Sequence, residues 1–326
     1  MSRTRLLAVV VTFNRLPALQ ETLSRLLDLL ERDLDRVLVY DNASSDDTAG
    51  WLAAQRDPRL TVISASVNSG GAGGFEAAMR AAHSEFDPDW MVLMDDDARP
   101  HPATFEAFHA RRRDSHDAWA AAVTYPDGAI CDMNRPWVNP FGSVGAFVRT
   151  LIRQRNGFHM NASAYQGGIR DIDGASFVGL FLSRAALNQA GYPDGRLFLY
   201  GDDVLYTLAL SKAGGRVAFD PALTFEHDCE TLGADATLSP LWKVYYYHRN
   251  QVLVYRAAAG PIMFWPVFAL RRRVWLRRAS AYGANRATYL RLLTLAMADG
   301  RVRKLDRAHA EILALSGGTR PQGDTA

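Results

Sequence analysis

The sequence predicts an α/β fold, with a mainly parallel, Rossmann-like central sheet flanked by helices and a helical C-terminal appendage. Three observations predict it. Short aliphatic or β-branched runs alternate with stretches of helical apolar spacing through the first hundred residues. The runs are apolar throughout rather than alternating, as strands covered on both faces require. Each run ends in polar or glycine residues, and the C-terminal strand ends of open parallel sheets are where ligands bind.

Taken in order, the first strand is Leu6 to Val11, followed by the turn Thr12-Phe13-Asn14-Arg15. A helix over Pro17 to Leu30 opens with a proline, whose fixed φ and missing N–H suit a first turn. Val37 to Tyr40 is the second strand, exiting into Asp41-Asn42-Ala43-Ser44, and Ser44 to Asp46 are cap candidates for a helix over Asp46 to Ala54. Leu60 to Ser64 is the third strand, followed by Asn68, the glycines 70–74 and a helix over Gly73 to His83. Trp90 to Met94 is the fourth, ending in Asp95-Asp96-Asp97. Further on, Asp173 to Leu182 reads as a strand with a small-residue start, and 125–168 mixes aromatics, amides and glycines without clear periodicity, as a loop region would.

Three carboxylates at the end of an apolar strand repel one another unless water, a hydrogen-bonding ligand or a cation neutralises them. Hard oxygen ligands suit Mg²⁺ or Mn²⁺, which complete their shells with phosphate oxygens. A solvated strand-end turn is the alternative reading of the cluster. A dinucleotide-binding fold would carry its glycines in the first strand-to-helix turn, and Thr12 to Arg15 contains none. The sequence also lacks a GxxxxGK[ST] phosphate loop. The glycines 70–74 permit close backbone approach, either to a phosphate or sugar at a helix N-terminus or within a flexible connection.

The ordered combination of Val10-Val11-Thr12-Phe13-Asn14-Arg15, Asp41-Asn42-Ala43-Ser44-Ser45-Asp46-Asp47-Thr48, Asn68 with its glycines, and Asp95-Asp96-Asp97 resembles a family 2 glycosyltransferase of the GT-A fold over about two thirds of the chain. Through Asn68-Ser69-Gly70-Gly71-Ala72-Gly73-Gly74-Phe75 it is especially similar to the galactofuranosyltransferase and rhamnosyltransferase branches. The resemblance implies that Thr12, Arg15 and Asp41 hold the base and ribose side of a nucleotide, with Asn14, Asn68, Gly70 and Gly71 on the same donor side. It further implies that Asp95 or Asp96 supports the nucleotide and that Asp97, with Asp95 beside it, binds Mn²⁺ or Mg²⁺.

Two later landmarks extend the resemblance. Asp202 and Asp203 open an apolar helical stretch. An acid there is ordinarily a cap, and Asp202 keeps that reading with a weaker one on the acceptor side. A sugar hydroxyl needs a positioned base during attack, and the similarity to the family's acidic pair assigns that role to Asp203. Leu205 stands where related enzymes often carry a glutamate. His227, about two dozen residues beyond the pair, matches the family's metal-completing histidine. The other seven histidines carry no such expectation. Ser176 and Trp137 are the remaining acceptor-side candidates.

At 326 residues and 48% hydrophobic content, a sizeable core is expected. Cys131 and Cys229 are too few and too far apart in sequence for a disulfide framework or zinc site, and with no signal peptide before the first strand the expected compartment is cytosolic. The net charge of +2 divides into +11 for residues 241–326 and −9 for the rest. The expected divisions are a catalytic domain over 1–240, a basic aromatic helical region over 241–315 and a disordered tail over 316–326. Pro261 to Leu270 is too short for a membrane span, which needs about 20 residues. With Arg271-Arg272-Arg273 and Arg277-Arg278 following, it suits either an anionic membrane surface, reached through Phe264, Trp265, Phe268 and Trp275, or a hairpin packed on the core or across a homodimer. No nucleic-acid module accompanies the basic patch.

The expected function is therefore inverting, metal-dependent transfer of a sugar, first galactofuranose from UDP-galactofuranose and second rhamnose from dTDP-rhamnose, to a surface-glycan or lipid-linked acceptor. A non-catalytic glycan- or nucleotide-binding protein of the same fold is the rival from another class.

Overall fold

The computed structural model describes residues 4–229 and 237–317. In chain order its elements are β1 (Leu6–Thr12), α1 (Leu16–Leu27), β2 (Arg36–Asp41), α2 (Thr48–Ala54), β3 (Leu60–Ser64), α3 (Gly70–Phe86), β4 (Trp90–Asp95), β5 (Ala98–Pro100), α4 (Thr104–His109), β6 (Ala118–Thr124), α5 (Val144–Arg153), α6 (Ala162–Tyr165), β7 (Arg170–Ile172), β8 (Leu180–Ser183), α7 (Arg184–Ala190), α8 (Asp202–Lys212), β9 (Val217–His227), α9 (Lys243–Arg277), α10 (Arg286–Val302) and α11 (His309–Ser316). Among the described residues, one sheet runs in the order β3-β2-β1-β4-β8-β6-β9-β5, with β7 also paired to β9.

The first four strands are parallel, in register from Val11 beside both Tyr40 and Asp95 to Asp41 beside Ser64. Alternation along β1 sends Leu7, Val9 and Val11 to one apolar layer, with Phe75, Met79 and Leu210, and Leu6, Ala8 and Val10 to the other, with Leu19, Phe105 and Phe225. Covering both faces buries β1 along its whole length, as its unbroken apolar run requires. The parallel set also brings the loops after β1, β2, β3 and β4 to one edge, where side chains interlock. Asn14 Oδ1 accepts from the Ser45 N–H at 2.6 Å, and Asn42 Nδ2 donates to Asn68 Oδ1 at 3.1 Å.

Two sequence expectations are corrected here. The strand expected over Asp173 to Leu182 begins only at Leu180. Before it, Gly174 packs so tightly under the Trp137 indole that a Cβ would overlap the ring, and Gly179 sits at φ +69° against Ala121 and Phe225, breaking the extended run. The helix expected from Gly73 begins at Gly70, so the glycines form its first turn rather than an open loop.

The C-terminal helices build a third core in which Val244, Tyr245, Phe264, Phe268 and Trp275 of α9 pack with Tyr289, Leu292 and Leu293 of α10. Phe264, Phe268 and Trp275 are therefore buried, which overturns their expected insertion into a membrane; of the four named aromatics only Trp265 is exposed. The helical stretch Lys243–Val302 is, by length and apolar composition, sufficient to cross a membrane. That also corrects the expectation drawn from Pro261 to Leu270 alone, because apolar residues such as Val252, Leu253 and Val254 extend the run. It is interrupted at Gly260, whose φ of 69° and ψ of 179° kink α9. The expected disordered tail falls largely outside the described residues, and α11 itself continues to Ser316.

Candidate active site

The triple acid divides its labour by direction. Thr12 Oγ1 donates to Asp96 at 2.8 Å, and the Arg15 guanidinium reaches Asp96 at 3.4 Å and also pairs with Asp97. Asp96 therefore faces the turn after β1. Asp95, Asp97 and His227 instead bring one ligand atom each within 4.8 Å of one another. The register of β5 against β9 explains this meeting: Ala98 lies opposite His227, and the Asp228 N–H donates to the Asp97 carbonyl at 2.9 Å. The acids flanking His227 are engaged elsewhere, since buried Arg99 holds Glu226 at 3.1 Å and Asp228 at 3.2 Å.

His227 is oriented from both sides. Its Nδ1 donates to Asn134 Oδ1 at 2.7 Å, and its Nε2 lies 3.0 Å from Asp97 Oδ1. Asn134 is itself fixed, because its Nδ2 donates to Ser176 Oγ at 2.8 Å. Such a partner on one ring nitrogen sets the tautomer and aims the other at a metal. Burial is the largest influence on His227 and would lower its pKa, but the bonds to Asp97 and Cys131 and the charges of Asp97 and Asp95 together raise it to about 10. Burial and then the Asp97 charge push Asp95 up to about 7. Asp97 goes the other way: burial would raise it, but the bond to His227 and the charges of His227 and Arg15 hold it below the ordinary carboxylate range. Two carboxylates and one imidazole, preoriented by their hydrogen bonds, are a donor set that fits Mn²⁺ or Mg²⁺.

Asp202 and Asp203 stand on the first turn of α8, after the strained segment Phe198-Leu199-Tyr200-Gly201, where Phe198 and Tyr200 adopt φ of +66° and +71°. Asp202 is buried, and that burial, then the charge of Asp203 and more weakly that of Asp95, push its pKa well above the ordinary carboxylate range. Asp203 remains partly exposed, and burial of its carboxyl raises it to about 6. A carboxylate tuned upward yet still ionised at neutral pH is suited to accept a proton. Leu205 does not replace the glutamate of related enzymes with another polar group; it packs against Leu197, Leu253 and Leu305.

The remaining expected donor residues line the same edge. Asp41 is buried and accepts from the Ser44 N–H at 2.9 Å, and Asn68 Oδ1 caps the Gly70 N–H at 2.8 Å. Gly70, at φ +72°, packs so closely under the Phe198 carbonyl that a Cβ would overlap it, and that carbonyl accepts from the Ala72 N–H at 3.1 Å. Gly71 packs beside Leu199. The glycine turn thus braces the segment leading to Asp202, and close approach is made to protein backbone. Trp137 is buried on Gly174 and Phe158, with little ring face open, and Ser176 serves Asn134.

Three amides escaped the sequence reading. Asn42 ties the second and third loops, accepting from the Ser69 N–H at 3.1 Å; its signal was its place beside Asp41 at a strand end. Asn134 carried no local signal. Asn250 of α9 donates to the carbonyls of Leu197, Leu199 and Tyr200 at 3.0, 2.8 and 2.8 Å, so the C-terminal region holds the loop that presents Asp203. The cysteine expectation is also corrected. Cys131 and Cys229, distant in sequence, converge with His227 so that their ligand atoms lie within 4.8 Å, because β9 returns beside the segment that follows β6.

A parallel-stranded half, an acid cluster at its strand ends and a second acid pair on the first turn of α8 define a GT-A glycosyltransferase. The chain belongs to glycosyl transferase family 2, whose profile matches residues 7–176. It is similar to the galactofuranosyltransferase GlfT1 of Mycolicibacterium smegmatis, 28% identical over 69% of this chain and 71% of that protein. The Mycobacterium tuberculosis GlfT1 is 29% identical over 64% of each chain. In fold it is similar to the mannosyltransferase PcManGT of Pyrobaculum calidifontis, solved with GDP-Man and Mn²⁺, at a TM-score of 0.54 and 18% identity over 97% of this chain and 80% of that one. It is also similar to S. aureus TarS solved with UDP-GlcNAc, at 0.53 and 15% over 98% and 93%.

Proposed function

We propose that this glycosyltransferase is a divalent-metal-dependent, inverting enzyme that transfers galactofuranose from UDP-galactofuranose to a glycan or lipid-linked glycan acceptor on the cytoplasmic side of a membrane. The observation that carries the reading is the convergence of Asp95, Asp97 and His227 on the strand-end edge, electrostatically coupled to Asp202 beside Asp203. The donor sugar follows from the likeness to the galactofuranosyltransferases.

Thr12, Asn14, Arg15, Asp41 and Asn68 line the nucleotide side, and Arg15 is placed to meet diphosphate oxygens when it exchanges a carboxylate for them. Asp95, Asp97 and His227 would hold Mn²⁺ or Mg²⁺, which supplies charge stabilisation to the departing diphosphate. Asp203 takes the proton of the acceptor hydroxyl as its oxygen attacks the anomeric carbon opposite the leaving UDP. Burial and the neighbouring charge of Asp203 disfavour a second charge at Asp202 on the first turn of α8.

A panel of UDP-galactofuranose, dTDP-rhamnose and common UDP-hexoses with Mn²⁺, read by nucleoside diphosphate release, tests this. UDP-galactofuranose turned over fastest supports the assignment. Preference for dTDP-rhamnose moves the enzyme to the rhamnosyl branch, and no turnover with any donor favours the binding-protein alternative.

A further inference from the structure

α5 turns an apolar stripe away from the protein. Val144, Leu151 and Ile152 are 82%, 67% and 76% exposed, and Val148 joins them one turn along, while Ala146 faces inward. Beyond the kink at Gly260, α9 has a second such face: Ile262, Trp265 and Leu270 are exposed at 83%, 53% and 62%, on the side opposite buried Phe264, Phe268 and Trp275. The two faces start near one shared point. Asn139 Nδ2 donates to the Ala258 carbonyl at 3.1 Å, and both Ser143 and Ile262 lie four residues from that bond, at most about 14 Å of chain.

The charge around them is mainly positive. From Met133 to Arg170 the sequence holds five arginines and no acid, with Asp132 just before them paired to Arg135, and α9 adds exposed Arg272, Arg273 and Arg277 beyond its apolar face, while Arg271 turns inward over the Tyr255 ring. We infer that α5 and the outer side of α9 form a contact surface for an anionic lipid bilayer, with Val148, Leu151, Ile152, Ile262 and Leu270 entering the acyl boundary and the arginines meeting headgroup phosphates. Exposed apolar stripes mark an interaction site, and aliphatic residues bordered by arginine are the pattern of interfacial helices. A second copy of the chain would bring like charges together across a two-fold contact, and nucleic acid has no use for the aliphatic stripe.

The placement also fits an acceptor carried by lipid, a consequence that rests on the transferase reading. Lys212 at the end of α8 donates to the Ala257 carbonyl, next to the Asn139 anchor. Asp203 stands nine residues earlier on that helix, about 14 Å away. The base is then within reach of a sugar projecting from a headgroup.

Flotation of the full chain with vesicles of phosphatidylcholine, with or without phosphatidylglycerol, tests the surface. Binding should require phosphatidylglycerol, weaken with salt, and fall by about tenfold or more in V148S/L151S/I152S and in I262S/L270S, with circular dichroism and UDP affinity unchanged. Unaltered binding by both variants would overturn the proposal, as would their conversion of a dimer to monomers in sedimentation. Vesicle binding without UDP binding would support the surface while refuting the transferase reading, and UDP binding without vesicle binding would do the reverse.

Discussion

Asp203 and Asn134 act at the residue scale and separate cleanly by experiment. Asp203→Asn removes the proton acceptor while keeping the side-chain volume, so transfer should fall by about 10²–10⁴-fold with UDP affinity unchanged, measured by kinetics and calorimetry. As the proposed base Asp203 would act in its ionised form, and burial raises its carboxyl to about 6, so kcat at saturating donor should fall as pH drops through that value and level off above it. A flat profile from pH 5 to 8, with Asp203→Asn still active, would remove it as base. Asn134→Ala should weaken Mn²⁺ binding by about 10–100-fold, read as free Mn²⁺ by electron paramagnetic resonance, because the His227 ring loses the partner that aims Nε2. Asn134→Asp, which retains the acceptor oxygen, should restore much of that affinity. Asp203 and His227 stood out in the sequence through their resemblance to the family's acidic pair and histidine, and the structure places His227 beside Asp97. Asn134 and Asn250 did not stand out, since an amide's role lies wholly in partners that the fold brings from far along the chain.

At the scale of elements, the cleft depends on how one segment is gripped. Residues 197–201 carry two left-handed non-glycine residues and are held by the Gly70 turn on one side and by Arg249 and Asn250 on the other. Asn250→Leu leaves several carbonyls without a donor and should destabilise the protein by about 1–3 kcal/mol in chemical denaturation. It should also lower kcat more than UDP affinity, because Asp203 moves while the strand-end edge does not. Equal loss of both would mean that the segment supports the donor site instead. The four parallel strands were legible because burial on both faces leaves an unbroken apolar run. The break at Gly174 to Gly179 was not, because it is imposed by Trp137, Ala121 and Phe225 from other elements. α5 escaped for the opposite reason: its apolar spacing is helical, but the stripe faces outward among glycines and prolines and resembles no core helix.

For the whole molecule, the expected division at residue 240 separates two charge regimes that pack as neighbours. Phe198 stacks on Tyr246 at 4.7 Å and on His309 at 4.4 Å, so the C-terminal helices cover the segment that leads to the base. We expect a chain ending at residue 240 to lose its cooperative thermal transition or to aggregate, since it would expose Leu197, Phe198 and Leu199 together. A soluble fragment with intact UDP binding would establish 1–240 as an independent domain. On the proposed reading, the acid cluster would make the molecule's affinity for its donor conditional on a cation, because a diphosphate brings further negative charge to an edge that already holds Asp95, Asp96 and Asp97.

That dependence gives the most direct measurement of the central claim: calorimetric titration of UDP into the full chain with Mn²⁺ and again with excess EDTA, in the wild type and in Asp97→Asn. The account predicts binding with Mn²⁺ that is lost or at least about tenfold weaker with EDTA, and weak binding in Asp97→Asn under both conditions. Equal UDP affinity with and without Mn²⁺, unchanged by Asp97→Asn, would contradict it.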